Sequence, residues 1–293
     1  MTDITLSAAN WRDYYEMCKP RVVMLMILTS MVGMFLAVPG MVPFRILLLG
    51  NLGIALVAAS GAVVNHLIDR KVDLLMKRTH NRPLPQGRVD PFSTIIFATV
   101  IGVAGMLILL YWVNPLCAWL TLASFVGYAF IYTGYLKRAT PQNIVIGGLS
   151  GAMPPLLGWS AVSGTIHPDA LILVLIIFAW TPPHFWALAI HRKDEYAKTG
   201  IPMLPVTHGE FVTKVHIVVY TVILVIVSLF PYFSGLSGPL YLATAILLGA
   251  GFMYWSLRLM FRARPTTAMD TFRYSIVYLA ILFIALLIDH YLF

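Results

Sequence analysis

Nine long apolar segments dominate this sequence and restrict what it can fold into. Each is close to the roughly 20 residues that an α-helix needs to cross the hydrocarbon core of a bilayer. Inside lipid every backbone polar group must be paired within the protein, and helices of this length achieve that. The sequence therefore predicts an all-α integral membrane protein with nine transmembrane helices. We expect the spans at 22–39, 44–67, 92–112, 116–136, 143–162, 169–190, 214–233, 239–258 and 272–291.

The composition excludes several other classes of protein. Hydrophobic residues make up 59% of the 293 residues, and charged residues only 11%. Soluble globular domains have about 25% charged residues, so a water-soluble enzyme, a disordered chain and a nucleic-acid-binding protein are all excluded. Membrane lipid is the expected environment. The positions of the cations along the chain are more informative than their sum, a net charge of +8.

The lysine and arginine residues are segregated between alternate connections. Nineteen of the twenty lie before the first span or in an even-numbered connection, and only Arg45 lies in an odd-numbered one. Basic connections mark the cytoplasmic side of a membrane. We therefore expect a cytoplasmic N-terminus and, with nine spans, a C-terminus outside the cell.

The end of the second span carries three oxygen-bearing side chains. Asn65, Asp69 and Asp73 are spaced i, i+4 and i+8, which places them on one helical face. Two neighbouring carboxylates repel each other unless something positive lies between them, and Mg²⁺ typically binds one or two carboxylates together with substrate phosphates. The three residues are therefore candidate magnesium ligands. The alternative is a solvated and inert polar helix end.

Basic residues near this stripe match the chemistry of phosphate. Lys77, Arg78 and Arg82 lie in the connection after span two, and Lys137 and Arg138 follow span four. Guanidinium and ammonium groups bind phosphate oxygens well, so these residues are candidates for binding a diphosphate. The positive-inside rule alone would also place basic residues here.

Aromatic and histidine side chains lie at the same helix ends. Tyr132 and Tyr135 close span four, whereas Trp180, His184 and His191 lie in or directly after span six. Rings at such positions commonly form an interfacial belt. His184 follows two prolines within an apolar run, where polar groups are costly and tend to be functional. Its structural alternative is a hydrogen bond to a carbonyl that the prolines leave free.

Two proline pairs predict irregular helices. Pro154-Pro155 lies in the glycine-rich fifth span, and Pro182-Pro183 lies in the sixth. Proline removes a backbone donor, so both helices should kink or open locally.

The connections after spans two and six contain a weak internal repeat. Pro83-Leu84-Pro85 recurs four spans later as Met203-Leu204-Pro205, which predicts parallel halves, spans one to four and five to eight, with a ninth helix added. We expect one domain over 1–293.

Kinked helices and repeats also occur in secondary transporters, but ionisable residues here lie at helix ends rather than at the bilayer midplane.

Several motifs together resemble the UbiA-type intramembrane prenyltransferases. The stripe of Asn65, Asp69 and Asp73, followed by Arg78-Thr79-x-Asn81-Arg82-Pro83-Leu84, is similar to their first aspartate-rich motif. Further segments resemble one branch, the haem O synthases or protohaem IX farnesyltransferases. These segments are Lys19-Pro20-Arg21, Tyr132-Thr133-x-x-Leu136-Lys137-Arg138-x-Thr140, Gly151-Ala152-Met153-Pro154-Pro155, Trp180-x-x-Pro183-His184-Phe185-Trp186-x-Leu188-Ala189 and Gly200-Ile201-Pro202-Met203-Leu204-Pro205.

The resemblance implies a fold, a reaction and a location. Nine helices would surround a central cavity, in which a farnesyl group passes from farnesyl diphosphate to a vinyl group of haem B. The products would be haem O, for haem–copper terminal oxidases, and diphosphate. Mg²⁺ held by Asn65, Asp69 and Asp73 would be the cofactor. The bacterial inner membrane is the implied location, with haem A synthase or the oxidase assembly machinery as further partners.

The chain departs from its relatives after the sixth span. Many of them carry a second Asp-xxx-Asp motif there, whereas this sequence has no such pair in 191–196. We therefore expect Arg192 and Lys193 to neutralise the diphosphate directly. His184, and after it His191, are the candidates for contact with haem. The rings of Tyr132, Tyr135 and Trp180 are candidates for binding the prenyl group and stabilising its cation-like allylic carbon. The alternatives are a prenyltransferase acting on a quinone precursor and, as a weaker one, a secondary transporter.

The charge segregation makes a topology prediction. A single cysteine engineered within 76–90 should react with an impermeant thiol reagent only from the cytoplasmic side, because the positive-inside rule places this basic connection there. Labelling in inverted and right-side-out vesicles measures this. Labelling from the outer side would overturn the predicted topology.

Overall fold

The computed structural model describes residues 10–292, and it is built from helices. Two of the helical segments have π-type hydrogen bonding and are named π1 and π2. In chain order the elements are α1 (Trp11–Met17), α2 (Pro20–Leu36), α3 (Phe44–Asp73), α4 (Pro91–Ile108), π1 (Leu109–Val113), α5 (Pro115–Val126), π2 (Gly127–Leu136), α6 (Lys137–Ala139), α7 (Asn143–Ala152), α8 (Pro154–Ser163), α9 (Pro168–His191), α10 (Lys193–Ala197), α11 (Leu204–Thr207), α12 (Gly209–Val227), α13 (Phe230–Phe233), α14 (Pro239–Phe261) and α15 (Thr267–Leu292).

These helices confirm the predicted fold class. Within the described part of the chain, eight helical stretches are long and apolar enough to cross a membrane. The remaining expected span, the first (22–39), corresponds to α2, which forms with α1 a pair bent by 50°. The bend lies at Cys18 and Lys19, directly before the proline that begins α2. The protein is therefore a multi-pass membrane protein, and α3 extends six residues beyond the expected end of span two.

The two proline pairs have different effects on their helices. The fifth span is divided at Met153 into α7 and α8, so that Pro154 begins a new helix where its missing donor costs little. By contrast, α9 continues through Pro182 and Pro183 without interruption. The sixth span is therefore not divided at its proline pair, unlike the fifth.

Small residues allow α2 and α8 to approach closely. A Cβ atom on Gly158 would lie 1.9 Å from the backbone oxygen of Ser30, and one on Gly33 would lie 2.1 Å from that of Pro155. Contacts of this kind are typical of membrane helices, where small residues let backbones approach. The α2–α8 pair thereby forms one wall of the bundle interior.

The expected central cavity is present inside the bundle. It has a volume of about 260 Å³ and is lined by residues from α2, α3, α5, π2, α7, α8, α9 and α15. Its lining is almost entirely apolar, including Met26, Val57, Phe125 and Trp180. Lys19, at the start of α2, lies at its edge.

The basic connections lie together over one end of the bundle, which we call the basic end. Met76, from the connection after α3, packs in one cluster with Tyr196, Ile201 and Met203, from the connection after α9. The two segments predicted to be related by an internal repeat thus lie in connections that pack together. This arrangement places both above the end of α3.

Candidate active site

The three oxygen-bearing residues of α3 share one buried face. Asn65 is 5% exposed, Asp69 3% and Asp73 4%. These side chains are therefore not solvated, contrary to the alternative of a polar helix end in water. Because an unpaired buried carboxylate is strongly unfavourable, each one requires a cation or hydrogen-bond donor nearby.

Each carboxylate has a cation from another element of the chain. The Lys137 ammonium lies 2.6 Å from Asp69 Oδ2, and the Arg82 guanidinium lies 2.7 Å from Asp73 Oδ2. Both cations were among the predicted diphosphate-binding residues. The connection after α3 and the segment after π2 are thereby fixed to the end of α3.

Asn65 joins this pair of carboxylates to two residues that sequence reasoning did not select. Its amide nitrogen donates to Asp69 Oδ2 at 2.8 Å and to Thr133 Oγ1 at 3.2 Å. Its amide oxygen accepts a hydrogen bond from the Lys19 ammonium. Asn65 therefore holds Lys19, Asp69 and Thr133 together.

Lys19 also has an unusual backbone conformation. Its φ of 50° is the only positive φ of a non-glycine residue in the described part of the chain. Such conformations cost free energy and persist where the surroundings require them. Here the turn between α1 and α2 aims the half-buried Lys19 ammonium group at the α3 stripe.

The π2 segment, which continues α5, brings its side chains to the carboxylates of α3. A π-helix pairs residues five apart, one more than an α-helix, and Thr133 accordingly donates through Oγ1 to the carbonyl of Tyr128 at 2.9 Å. The extra residue in the turn places Thr133 and Lys137 on the face that meets α3. Helical periodicity at 3.6 residues per turn does not predict this alignment.

Two buried polar groups at the site have no protein partner in the described structure. Asp69 Oδ1 accepts no hydrogen bond, and neither ring nitrogen of His66 has a partner. Unsatisfied buried polar atoms are uncommon and call for a bound group. A buried carboxylate oxygen without a hydrogen-bond donor fits a hard divalent cation, which prefers oxygen ligands. Sequence reasoning did not select His66.

The other predicted diphosphate-binding cations lie further out. Arg78 and Arg192 lie near the Tyr196 phenol. Burial raises the pKa of this phenol, and the two guanidinium groups oppose the rise. Lys193 forms an ion pair with Glu210 at 3.5 Å. Lys77 is exposed, and Arg138 donates to the carbonyl of Ile68 at 3.4 Å. The structure therefore brings Arg82 and Lys137 into the carboxylate network and leaves these five outside it.

His184 is held between aromatic rings. Its imidazole stacks on Trp180, with ring centroids 4.1 Å apart, and on Phe272 at 4.5 Å. Nδ1 lies 2.7 Å from Ser275 Oγ, and that hydroxyl donates its single hydrogen to the carbonyl of Phe272 at 2.6 Å. Ser275 must therefore accept from Nδ1–H, which leaves the lone pair on Nε2. The hydrogen bond to a proline-freed carbonyl is not what holds this ring.

The other ring side chains predicted to bind the prenyl group or haem differ in their position relative to the central cavity. Trp180 lines the central cavity. Tyr132 stacks on Tyr128, with centroids 6.0 Å apart, and Tyr128 lines the cavity in its place. Tyr135 is 67% exposed, and His191 is also exposed. The structure does not bring Tyr135 or His191 to the cavity.

A family model described as the UbiA prenyltransferase family matches residues 26–287. The chain belongs to this family. It is 65% identical over 284 residues to a protohaem IX farnesyltransferase of Saccharophagus degradans, a match that covers 97% of this chain and 94% of that one.

Solved structures show the same fold at low sequence identity. A digeranylgeranylglyceryl phosphate synthase superposes with a TM-score of 0.82 at 19% identity, covering 97% of this chain and 99% of the other. A UbiA homologue from Archaeoglobus fulgidus, bound to GPP and Mg²⁺, gives a TM-score of 0.64 at 15% identity and covers 94% of this chain and 99% of its own.

The ion pairs of the buried carboxylates predict that activity and stability can be changed independently by substitution. Asp69→Asn and Asp73→Asn should each reduce diphosphate release from an isoprenyl diphosphate by about 100-fold or more, because each removes charge that supports the departing group. Asp69→Asn should also destabilise the protein by about 3–5 kcal/mol, because it leaves Lys137 without its buried partner.

A second variant separates the two effects. Asp69→Asn combined with Lys137→Met should recover much of the thermal stability in detergent but none of the activity. Asp270→Asn, which removes an exposed ion pair with Arg273, should change neither property appreciably. Near-normal activity in both single aspartate variants would overturn the assignment of the site.

Proposed function

We propose that this protein transfers a farnesyl group from farnesyl diphosphate to a vinyl group of haem B, giving haem O and diphosphate. The observation that carries prenyl transfer is the buried network of Asp69 and Asp73 with Lys19, Arg82 and Lys137 at the edge of an apolar cavity. The choice of haem B as acceptor is supported by the high identity to a protohaem IX farnesyltransferase over nearly the whole chain.

The network suits a diphosphate electrostatically. Three cations accompany two carboxylates, so the site has an excess of positive charge before Arg78 and Arg192 are counted. Ammonium and guanidinium groups held in such a half-buried site stabilise the negative charge that develops on a leaving diphosphate. We assign binding of the diphosphate to Lys19, Arg82 and Lys137, with Arg78 and Arg192 closing over it.

Asp69 and Asp73 would hold Mg²⁺ at this site. The unpartnered Oδ1 of Asp69 supports this assignment, as does the Mg²⁺ named with GPP in the structure of the Archaeoglobus fulgidus homologue. When bound, the metal would neutralise diphosphate oxygens and thus favour their departure. Asn65 acts next to it, because its amide oxygen accepts from Lys19 and its nitrogen donates to Asp69.

The apolar cavity accounts for the rest of the reaction. The bond between the allylic carbon and the diphosphate oxygen breaks, and the vinyl group of haem supplies the electrons for the new carbon–carbon bond. Trp180 and Tyr128 line the cavity, and their ring faces can stabilise the positive charge on the allylic carbon. The lining keeps water from this carbon during transfer, and a water later completes the hydroxyethyl group of haem O.

We further propose the orientation and the cellular setting. The basic end faces the cytoplasm of a bacterial cell, so that water-soluble diphosphate leaves on that side, and the C-terminus lies outside. The segregation of lysine and arginine supports this orientation. Haem A synthase or the machinery that assembles a terminal oxidase would receive the apolar product.

A substrate comparison tests the proposed function. Purified protein with Mg²⁺ and farnesyl diphosphate should convert haem B into a product with the mass of haem O, and it should release one diphosphate per product. Aromatic quinone precursors should give none. Prenylation of a quinone precursor with haem B left unchanged would establish the alternative prenyltransferase, and absence of diphosphate release with every acceptor would contradict prenyl transfer.

His184 is proposed to contact haem. Its Nε2 retains a lone pair, and neutral imidazole is a common iron ligand. His184→Ala should lower haem affinity and shift the haem absorption spectrum without changing the affinity for farnesyl diphosphate. Ser275→Ala, which only removes the group that orients the ring, should produce a smaller change of the same kind. Unchanged haem affinity and spectrum in His184→Ala would exclude this role.

A further inference from the structure

The short helix α1 packs against three other segments of the chain. Its Met17 is completely buried and belongs to one apolar cluster with Val63 of α3 and Leu84 of the connection after α3. Tyr14 packs edge-on against Phe97 of α4, with ring centroids 4.9 Å apart. A helix of seven residues is not stable in isolation, so the position of α1 depends on these contacts.

An ion pair joins α1 to the connection after α3. Asp13 is buried, and its Oδ1 lies 2.7 Å from Nη1 of Arg88. The other oxygen, Oδ2, accepts from the backbone nitrogen of Asn10 at 3.2 Å. The Arg88 guanidinium also donates through Nη2 to the backbone carbonyl of Asn81 at 2.7 Å, which fixes it to its own connection. Removing Arg88 would leave a buried carboxylate without its charge partner.

The two segments that this ion pair joins each supply a cation to the active site. Lys19 follows α1 after a single residue, and its ammonium donates to the amide oxygen of Asn65. Arg82 precedes Arg88 by six residues and pairs with Asp73 at 2.7 Å. The pair between α1 and the connection therefore stands behind two of the three cations assigned to the diphosphate.

Lys19 depends on the position of α1 more than Arg82 does. Its backbone has a φ of 50°, and its nitrogen donates to the carbonyl of Glu16 at 3.1 Å. A positive φ at a non-glycine residue persists only where the surrounding structure maintains it. Undocking α1 removes the contacts on one side of this bend, so the ammonium would lose its direction towards Asn65. Lys19 is thus held from α1 rather than from α3.

We propose that Arg88 is a positioning residue for the reaction. Through Asp13 it holds α1 on the connection after α3, and it thereby keeps the Lys19 ammonium where the diphosphate binds. In the described structure its ion-pair and hydrogen-bond partners are Asp13, Glu16 and Asn81, so it acts on the site through other residues. The inference rests on the proposed function, because it assumes that Lys19 binds the diphosphate.

A double-mutant cycle tests whether Arg88 acts through Lys19. The affinity for farnesyl diphosphate is measured by isothermal titration with Mg²⁺ present. Arg88→Met should weaken binding about tenfold in the otherwise wild-type protein but less than about twofold in Lys19→Met, because the group that it positions is then missing. An equal loss in both backgrounds would show that Arg88 acts independently of Lys19 and would overturn the inference.

The native cysteines provide a second readout that needs no substrate. The chain has two, of which Cys18 lies half-buried at the bend after α1 and Cys117 is buried. Arg88→Met and Asp13→Asn should each increase the rate at which a water-soluble thiol reagent modifies Cys18 by about tenfold, because α1 leaves its docked position more often. Cys117 should stay unmodified in both variants, as measured by peptide mass spectrometry.

Matched variants separate this role from a general effect of charge or stability. Arg12→Met removes a cation from the exposed side of α1, where the guanidinium lies 5.7 Å from the ring centroid of Trp11, and should change neither readout. Arg88→Lys keeps the charge and should recover part of the affinity lost in Arg88→Met.

The outcomes distinguish the inference from the proposed function. If Arg88→Met does not fold, Asp13→Asn breaks the same ion pair from the other side. Increased reactivity of Cys18 with unchanged affinity for farnesyl diphosphate would overturn the inference, and so would unchanged values of both. Failure of the wild type to bind farnesyl diphosphate would instead contradict the proposed function.

Discussion

The burial of two carboxylates at the end of α3 is the constraint on which the active end of this structure depends. Asp69 and Asp73 are almost inaccessible to solvent, and a buried carboxylate needs a nearby positive charge. Lys137 and Arg82 supply it from two different segments, and Lys19 joins through Asn65. Three connections that could otherwise move independently are thereby fixed at the mouth of one apolar cavity.

Much of this arrangement is predictable from the sequence because it depends on local periodicity. The apolar runs define the helices, since a bilayer demands a fixed length, and the i, i+4, i+8 spacing places Asn65, Asp69 and Asp73 on one face. Charge segregation locates the basic end. Arg82 and Lys137 are identifiable from their charge and their place near the stripe.

What the sequence does not predict depends on tertiary contacts. The π2 register aligns Thr133 with Asn65, and nothing in the residue pattern of α5 signals the extra residue per turn. Lys19 reaches the site through a positive φ at a bend that only the packing of α1 and α2 defines. Tyr135 and His191 were selected by residue type, yet the faces on which they lie point away from the cavity. His66 lies between Asn65 and Asp69 in the sequence, and only its burial in the folded structure marks it as a residue of the site.

The central claim is that the network at the end of α3 binds an isoprenyl diphosphate through a divalent cation. Isothermal titration of the purified protein with farnesyl diphosphate, in the absence of haem, measures this directly. The account predicts saturable binding with Mg²⁺ that is largely lost when EDTA replaces the metal, and lost in Asp69→Asn even when Mg²⁺ is present. Equal affinity with Mg²⁺ and with EDTA would contradict it.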